Sequence, residues 1–570
     1  MYFDKQVLKV KKMFLSEQKS FKLLRWWASA GMVLAVAIGV ASCGGGGNDV
    51  NPGNVAVDSN AALSPEERAA AEEARIMADL EKADALEPEE NRKACKDRNN
   101  NSFQKLLNCV TLDGVRAHQV KLRDIALANG GTRVAGTKGF DDSADYAEKV
   151  FRDAGYNVTR QPFTFQAFIE LPGTSLSQVA PTPTAAIEAN ILSYSGSGNV
   201  TGTVSVLPTV TGCNTADFAG FPAGNIALIS RGSCRFSEKA TNAQAAGAAA
   251  VVIYNNAAGP LNGTLGEEFN LDIVVTGVAQ TVGQQLSTIP GLVLSVSAST
   301  VRGTATTSNI IAESKEGDAN NVAMVGAHLD SVDKGGGIND NGSGSATILE
   351  VAKQMAKIKP RNKLRFALWS AEESGLVGST KYVESLSEAD KGKIALYLNF
   401  DMIGSPNHVF FIYDGDNSDG VGAGAGPVGS TGIEKTFETF YNKQGISFKG
   451  TDFDGRSDYG PFIEVGIPAG GLFTGAEGTK TIAEAEVWGG LSGTAYDPCY
   501  HQACDNYGNT NLYALDVNAD AVAYSTLQFA MTTKVVNGIK GKEVGQSASV
   551  KQKMSPPVPA WQHFPVHFAE

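Results

Sequence analysis

The sequence predicts an α/β protein: a mixed, largely parallel sheet with helices on both faces, with a smaller β-rich α+β domain inserted into it. Three observations lead there. Over residues 309–535 strand and helix patterns alternate, as in a sheet covered by its own connecting helices. Over 172–308 the texture changes to short alternating strands around one clear helix, which marks a second folding unit. The chain is 570 residues long, enough for two domains with appendages.

In chain order, residues 1–42 read as a targeting segment. Basic residues up to Arg25 lead into an apolar run at 32–40, too short to span a bilayer as a helix, and then into Ala41-Ser42-Cys43. Small residues followed directly by Cys43 and by the glycines 44–47 resemble the lipobox of bacterial lipoproteins. That resemblance implies cleavage before Cys43, a lipid on Cys43 that holds the chain to a membrane, and a place in the bacterial cell envelope. Outer-membrane sorting and release after processing are both compatible with it. Residues 43–112 read as a Gly/Asn/Pro-rich tether and then an Ala/Glu-rich helical stalk. The stalk opens at Ser64-Pro65-Glu66-Glu67 with an N-cap, a first-turn proline and a capping-box glutamate.

Residues 113–171 carry helix patterns at 115–128 and 143–154 and a strand at 155–159. Within 172–308, strands fall at 203–206, 226–229 and 251–254 and a helix at 236–246. Asp217, Phe218, the run Ile229-Ser230-Arg231-Gly232-Ser233-Cys234-Arg235-Phe236, then Lys239, Ala240 and Ala245-Ala246-Gly247-Ala248 resemble a protease-associated (PA) domain. The resemblance implies a lid or docking surface with no chemistry of its own. Within 309–537, strands fall at 323–327, 364–369 and 396–400. The helix 345–358 aligns Ile348, Val351, Met355 and Ile358 at three- and four-residue steps. Residues 538–570 form a polar, proline-bearing tail.

The net charge is −12, with no basic block after the targeting segment, which argues against nucleic acid as a partner. Of seven cysteines, Cys43 aside, six remain, an even set suited to an oxidising compartment. Among the pairings open to six cysteines, locality favours Cys95–Cys109, Cys213–Cys234 and Cys499–Cys504. No Cys-x-x-Cys spacing occurs, so a metal role for them is not expected.

The chemistry lies where strand patterns run out into glycine-rich or polar loops. These are Val325-Gly-Ala-His-Leu-Asp330, Gly337-Ile-Asn-Asp-Asn-Gly-Ser-Gly344, Ser370-Ala-Glu-Glu-Ser-Gly375, Asn399-Phe-Asp-Met-Ile-Gly404 and Asp497-Pro-Cys-Tyr-His-Gln-Ala-Cys-Asp505. In an open α/β sheet such positions meet at one rim. His328, Asp340, one of the pair Glu372-Glu373, Asp401 and His501 supply the nitrogen and oxygen ligands of a two-zinc site, with a carboxylate to bridge the ions. Of the two adjacent glutamates, one can be neutralised by metal while its neighbour stays free as general base. Asp330 is placed to accept the other N–H of the His328 imidazole. His118, His408, His563 and His567 lack such surroundings and read as structural.

These segments, with Gly455-Arg-Ser-Asp-Tyr-Gly-Pro-Phe462 and Gly470-Gly-Leu-Phe-Thr-Gly475, resemble the secreted di-zinc aminopeptidases of metallopeptidase family 28. The resemblance implies the zinc exopeptidase fold and peptides with a free N-terminus as substrates. It gives one zinc to His328, Asp340 and Asp401 and the other to Asp340, Glu373 and His501. It makes Glu372 the base and Tyr500 the donor to the carbonyl oxygen. Arg456 would help hold the substrate's first residue, and Cys499–Cys504 would clamp the loop of Tyr500 and His501. The loops over 462–475 suggest a hydrophobic first residue, and Asp516 with Asp520, four apart, could bind Ca²⁺. Other readings of the same residues are a carboxypeptidase, which needs basic groups for the substrate carboxylate, and a glutaminyl cyclase, which needs one zinc. A lipid-anchored binding protein with a silent hydrolase is the third, and the complete ligand and base set argues against it. Oligomeric state is not legible.

Overall fold

The computed structural model describes residues 94–542 and 544, apart from 172, 208–210, 257, 258 and 423. The targeting segment, Cys43, the tether and the stalk up to residue 93, His563 and His567 lie outside the described residues; of the stretch 43–112, only 94–112 is described, with a short helix Phe103–Leu107. In chain order the strands are β1 (Asn157–Glu170), β2 (Ser175–Ala180), β3 (Ala185–Ile187), β4 (Asn190–Ile191), β5 (Gly198–Val206), β6 (Ile226–Ser230), β7 (Ala250–Tyr254) and β8 (Val274–Val278). They continue with β9 (Val293–Ala298), β10 (Thr300–Glu313), β11 (Asp318–His328), β12 (Asn362–Trp369), β13 (Ile394–Phe400), β14 (Phe411–Tyr413), β15 (Lys449–Thr451) and β16 (Ala469–Phe473).

Eight of them form the first sheet in the order β1-β10-β12-β11-β13-β16-β14-β15. Its centre, β12-β11-β13-β16, is parallel, so the carboxyl ends of these strands share one edge. Both faces are covered, which is why these strands are buried along nearly their whole length. Ala323, Val325, Phe366, Leu398 and Phe400 pack on one side against the helices Lys138–Asp153, Gly342–Met355, Ser430–Gln444 and Leu512–Met531. Met324, Trp369 and Tyr397 pack on the other with Tyr382 and Phe462. The helix Gly342–Met355 is buried almost all round, being wedged between sheet and neighbouring helices. Its glycines permit this: a Cβ on Gly344 would stand 2.2 Å from the Phe400 carbonyl oxygen.

The expected helix at 143–154 begins earlier, at Lys138, and its buried face starts in the first turn with Phe140, followed by Ala144, Ala147 and Phe151. The strand expected at 155–159 runs on to Glu170, paired residue for residue with β10 from Asn157↔Glu313 to Glu170↔Thr300. The second sheet, β3-β2-β9-β5-β6-β7-β8-β4, lies wholly between these two strands in sequence. The helix Phe236–Ala245 packs on one of its faces through Ala240 and Ala243, and the helix Gln280–Ser287 on the other through Leu286. The disulfides Cys95–Cys109, Cys213–Cys234 and Cys499–Cys504 are all formed.

Candidate metal centre

Each chemically equipped side chain is carried to the carboxyl edge of the parallel strands by its own element. His328 ends β11, Glu372 and Glu373 follow β12, and Asp401 follows β13 directly. Asp340 sits just before the helix Gly342–Met355, whose N-cap Asn341 accepts the Gly344 N–H. Tyr500 and His501 come from the disulfide-closed segment 499–504. Three non-glycine residues at the site have left-handed backbone: Ala371 before Glu372, Met402 after Asp401, and His501 itself. Such conformations cost about 1–3 kcal/mol each and persist where the surroundings over-determine them, commonly at functional sites.

His328 Nε2 lies 3.2 Å from Asp340 Oδ1 and 3.3 Å from Asp401 Oδ1. His501 Nε2 lies 3.3 Å from the other Asp340 oxygen, Oδ2, and 2.9 Å from Glu373 Oε2. A tetrahedral zinc with ligand bonds near 2 Å separates its donor atoms by about 3.3 Å, so both clusters have the edge length of a zinc polyhedron. His328 Nε2, Asp401 Oδ1 and Glu373 Oε1 are buried without a hydrogen-bond partner. Buried polar atoms are normally paired; these orphans face a common space and fit a divalent cation. Glu372 Oε2 stands farther off, 3.9 Å from His328 Nε2.

The electrostatics agree. Burial opposes charge on His501, yet Glu373 and Asp340 hold its imidazole up at about 10. His328 is raised too, by Asp401 and Glu372 against its burial. Burial pushes Glu372 well above the usual carboxylate range and Glu373 to about 7. For Asp340 burial acts the same way, but the two imidazoles overcome it and its pKa falls below the ordinary 3.8. The cluster is a sink for positive charge.

Behind the candidate ligands lies a directed hydrogen-bond chain. Trp369 Nε1 donates to Tyr397 OH at 2.7 Å, which donates to Asn399 Oδ1 at 3.0 Å. Asn399 Nδ2 donates to Ser457 Oγ at 2.9 Å, and Ser457 to Asp401 Oδ2 at 2.6 Å. This pins one Asp401 oxygen and turns the other toward His328. Asp505 accepts the N–H groups of Asn339 and Asp340 at 2.8 and 3.0 Å, and Asn339 Nδ2 reaches Asp497 at 2.7 Å. The two carboxylates flanking the disulfide thus tie segment 497–505 to the Asp340 loop.

Asp330 differs in detail from its expected part. Its carbonyl oxygen, at 3.2 Å, is nearer to His328 Nδ1 than its carboxylate, at 3.7 Å. The carboxylate instead accepts the N–H groups of Glu372 and Glu373, both at 3.3 Å. Arg456 is engaged with Glu477 at 2.9 Å and lies 3.4 Å from Tyr500 OH. Tyr500 stacks on the His501 ring at 3.8 Å. Phe462, expected among the pocket loops, is instead fully buried and stacked on Tyr397 at 4.0 Å. The apolar wall of the cleft is Met402, Tyr413 and Phe473.

His118 and His408 are buried away from the centre, His118 between Tyr146 and Glu350. Asp516 and Asp520 belong to none of the groups of three or more potential ligands among the described residues. A further such group, Asp414, Asp416 and Glu434, is met by main-chain N–H donors and by Lys435. Sequence reasoning gave no role to Ser457, Asn399, Asp497 or Asp505, although all four stand in the quoted motifs.

Comparisons with known proteins give the centre a context. Residues 309–526 match the model of peptidase family M28, and residues 200–286 match the PA domain. An aminopeptidase of Pseudomonas aeruginosa is 45% identical over 478 residues, covering 80% of this chain and 89% of that protein. A probable lipoprotein aminopeptidase, LpqL, of Mycobacterium tuberculosis is 42% identical over 76% of this chain and 88% of its own length. The solved structure of a zinc aminopeptidase from Bacillus subtilis superposes with a TM-score of 0.53 at 26% identity. It covers 72% of this chain and 94% of that one.

Proposed function

The chain belongs to peptidase family M28 and is a metallo-aminopeptidase, and on that premise we propose that it removes hydrophobic residues from the free N-terminus of peptides at a pair of zinc ions. His328, Asp340 and Asp401 would hold one ion; Asp340, Glu373 and His501 would hold the other. The observation that carries this is Asp340, whose two oxygens face two different imidazoles at 3.2 and 3.3 Å, as a bridging carboxylate must.

When bound, the ions lower the pKa of water toward about 7 and polarise the scissile carbonyl. Glu372, outside both ligand sets, takes a proton from the attacking water and returns it to the leaving amine; burial raises its basicity for the task. Tyr500 OH donates to the carbonyl oxygen as it becomes tetrahedral, and Arg456 behind it adds positive charge. Glu372 and Asp401 receive the substrate's α-ammonium, a charge that an internal peptide bond lacks. Met402, Tyr413 and Phe473 pack the first side chain. Arg456 is the only Arg or Lys among the described residues of the cleft, and Glu477 holds it. That leaves no free cation for a substrate carboxylate and speaks for amino- over carboxypeptidase action.

A panel of free and N-acetylated dipeptides, assayed with chelator and with zinc added back, tests the reading. Free peptides with apolar first residues should be cleaved, acetylated ones spared, and two zinc equivalents should restore a demetallated sample. Equal cleavage of acetylated peptides, or activity that survives demetallation, overturns it. We also propose that Cys43 carries a lipid in the cell envelope, a reading supported by the similarity to the mycobacterial protein. Labelled fatty acid should enter the wild-type chain and not Cys43→Ser.

A further inference from the structure

The segment joining β11 to the helix Gly342–Met355 begins just after one candidate ligand, His328, and contains another, Asp340, near its far end. It is rich in glycine and has no secondary structure of its own over 329–337, so groups from elsewhere must hold its course. Asp505 holds the Asp340 end, and Arg133, from the turn between the helices Leu112–Ala128 and Lys138–Asp153, reaches both ends. Arg133 is completely buried. Its guanidinium donates from Nη1 to the Leu329 carbonyl, from Nε to Gly336 at 2.8 Å and from Nη2 to Gly337 at 2.7 Å. Its main-chain N–H is also accepted by Ser331 Oγ at 2.9 Å.

Burying a cation is costly unless it is well paired. Here its described hydrogen bonds go to neutral carbonyls, and its charge is met at longer range by Asp330, Asp505, Asp340 and Glu373. One planar fork grips both ends of the loop, the Leu329 carbonyl beside His328 and the Gly337 carbonyl ahead of Asp340. The fit is close. Gly337 has φ of +60°, and a Cβ there would stand 3.1 Å from Arg133 Nη2 and 2.4 Å from the Asp340 carbonyl oxygen. Arg133 lies outside the 309–526 span that matches the family model.

We propose that Arg133 is a positioning residue that sets the affinity for the zinc pair, by fixing the separation of His328 and Asp340 through the carbonyls of Leu329, Gly336 and Gly337. The inference rests on the two-zinc reading above. A lysine keeps the charge but cannot reproduce the fork, so charge and geometry separate in the variants. An arginine that served only the fold would change the melting temperature and leave the zinc affinity of the folded protein where it was.

The test uses the full chain as wild type, Arg133→Lys and Arg133→Met, stripped of metal and titrated with zinc against a fluorescent chelator. Near-UV circular dichroism reports the folded fraction. Outer hydrogen-bond partners of metal ligands typically contribute about 10–100-fold to affinity. Arg133→Lys should therefore bind zinc about tenfold more weakly, and Arg133→Met more weakly still. Excess zinc should restore much of kcat to Arg133→Lys. Two zinc ions bound with equal affinity by all three chains overturn the inference alone. A wild-type chain that takes up no zinc pair overturns the two-zinc reading and the inference with it. Should Arg133→Met fail to fold, Arg133→Lys decides: wild-type affinity sinks the proposal and weakened affinity supports it.

Discussion

Glu372 and Glu373 are neighbours in sequence with different surroundings. Glu373 Oε2 meets His501 at 2.9 Å, whereas Glu372 stands 3.9 Å from the nearest imidazole nitrogen. Under the proposed roles the two glutamines give opposite signatures. Glu372→Gln should lower kcat by about 10²–10⁴-fold with zinc content unchanged, the range for removal of a general base. Glu373→Gln should lose zinc. Paired kinetics and metal analysis check both, and an active Glu372→Gln would sink the assignment. Tyr500→Phe removes only a hydroxyl and should lower kcat by about 10²-fold while KM stays near its wild-type value. That the candidate ligands come together was legible because His, Asp and Glu at the ends of strand patterns have few other reasons to be there together. Their supports were not. Ser457 and Asp505 are ordinary polar residues until folding brings them within hydrogen-bond reach of Asp401 and of the Asp340 main chain, and Asn399 acts only by donating to Ser457.

At the scale of elements, the segment 497–505 is held by the disulfide and by the Asp497 and Asp505 carboxylates. Closing so short a loop removes little unfolded-state entropy, about 2 kcal/mol in the chain-entropy account. Replacing Cys499 and Cys504 together by serine should therefore move the melting temperature modestly. Activity should fall much further, since Tyr500 and His501 lose their tether; melting curves beside kcat decide it. The helix Ile482–Trp488 offers a pH test. Burial would raise Glu484, but Lys449 at 2.7 Å, the Thr481 N–H and Tyr496 OH bring it from 4.5 down to about 2. A depressed folded value means that its stabilisation is present above about pH 4.5 and is lost as pH falls toward 2. Urea unfolding of wild type and Glu484→Gln should differ at pH 7 and converge near pH 2; a gap that persists in acid contradicts this. Helix centres were legible from periodicity, but starts were not: the buried face of Lys138–Asp153 already begins at Phe140, and Thr137 before it offers no side-chain cap bond to mark the start.

At the scale of the molecule, alternating strands and helices announced the covered sheet, and the change of texture after 172 announced a second unit. The length of the connection between them was hidden. Phe163, Phe165, Ala167 and Ile169 do alternate, but the pattern of one strand does not name its partner, and β10 lies 130 residues further on. The second sheet also reaches back toward the centre, for Tyr194 OH donates to the Gln166 carbonyl at 2.8 Å and to that of Ser374 at 3.3 Å. Tyr194→Phe should leave zinc content alone and shift KM more than kcat, read by steady-state kinetics; unchanged kinetics would show the contact to be packing alone. The ribbon of β1 and β10 carries one more consequence. Glu170 and Thr300 are register partners, so everything between them departs and returns at adjacent points of the lattice. To the rest of the polypeptide that span is topologically a hairpin's bend, and loop length changes closure entropy only logarithmically. Excising it and joining the stumps by a tight Asn-Gly turn would require no re-threading of the remainder, which makes the insert a detachable module.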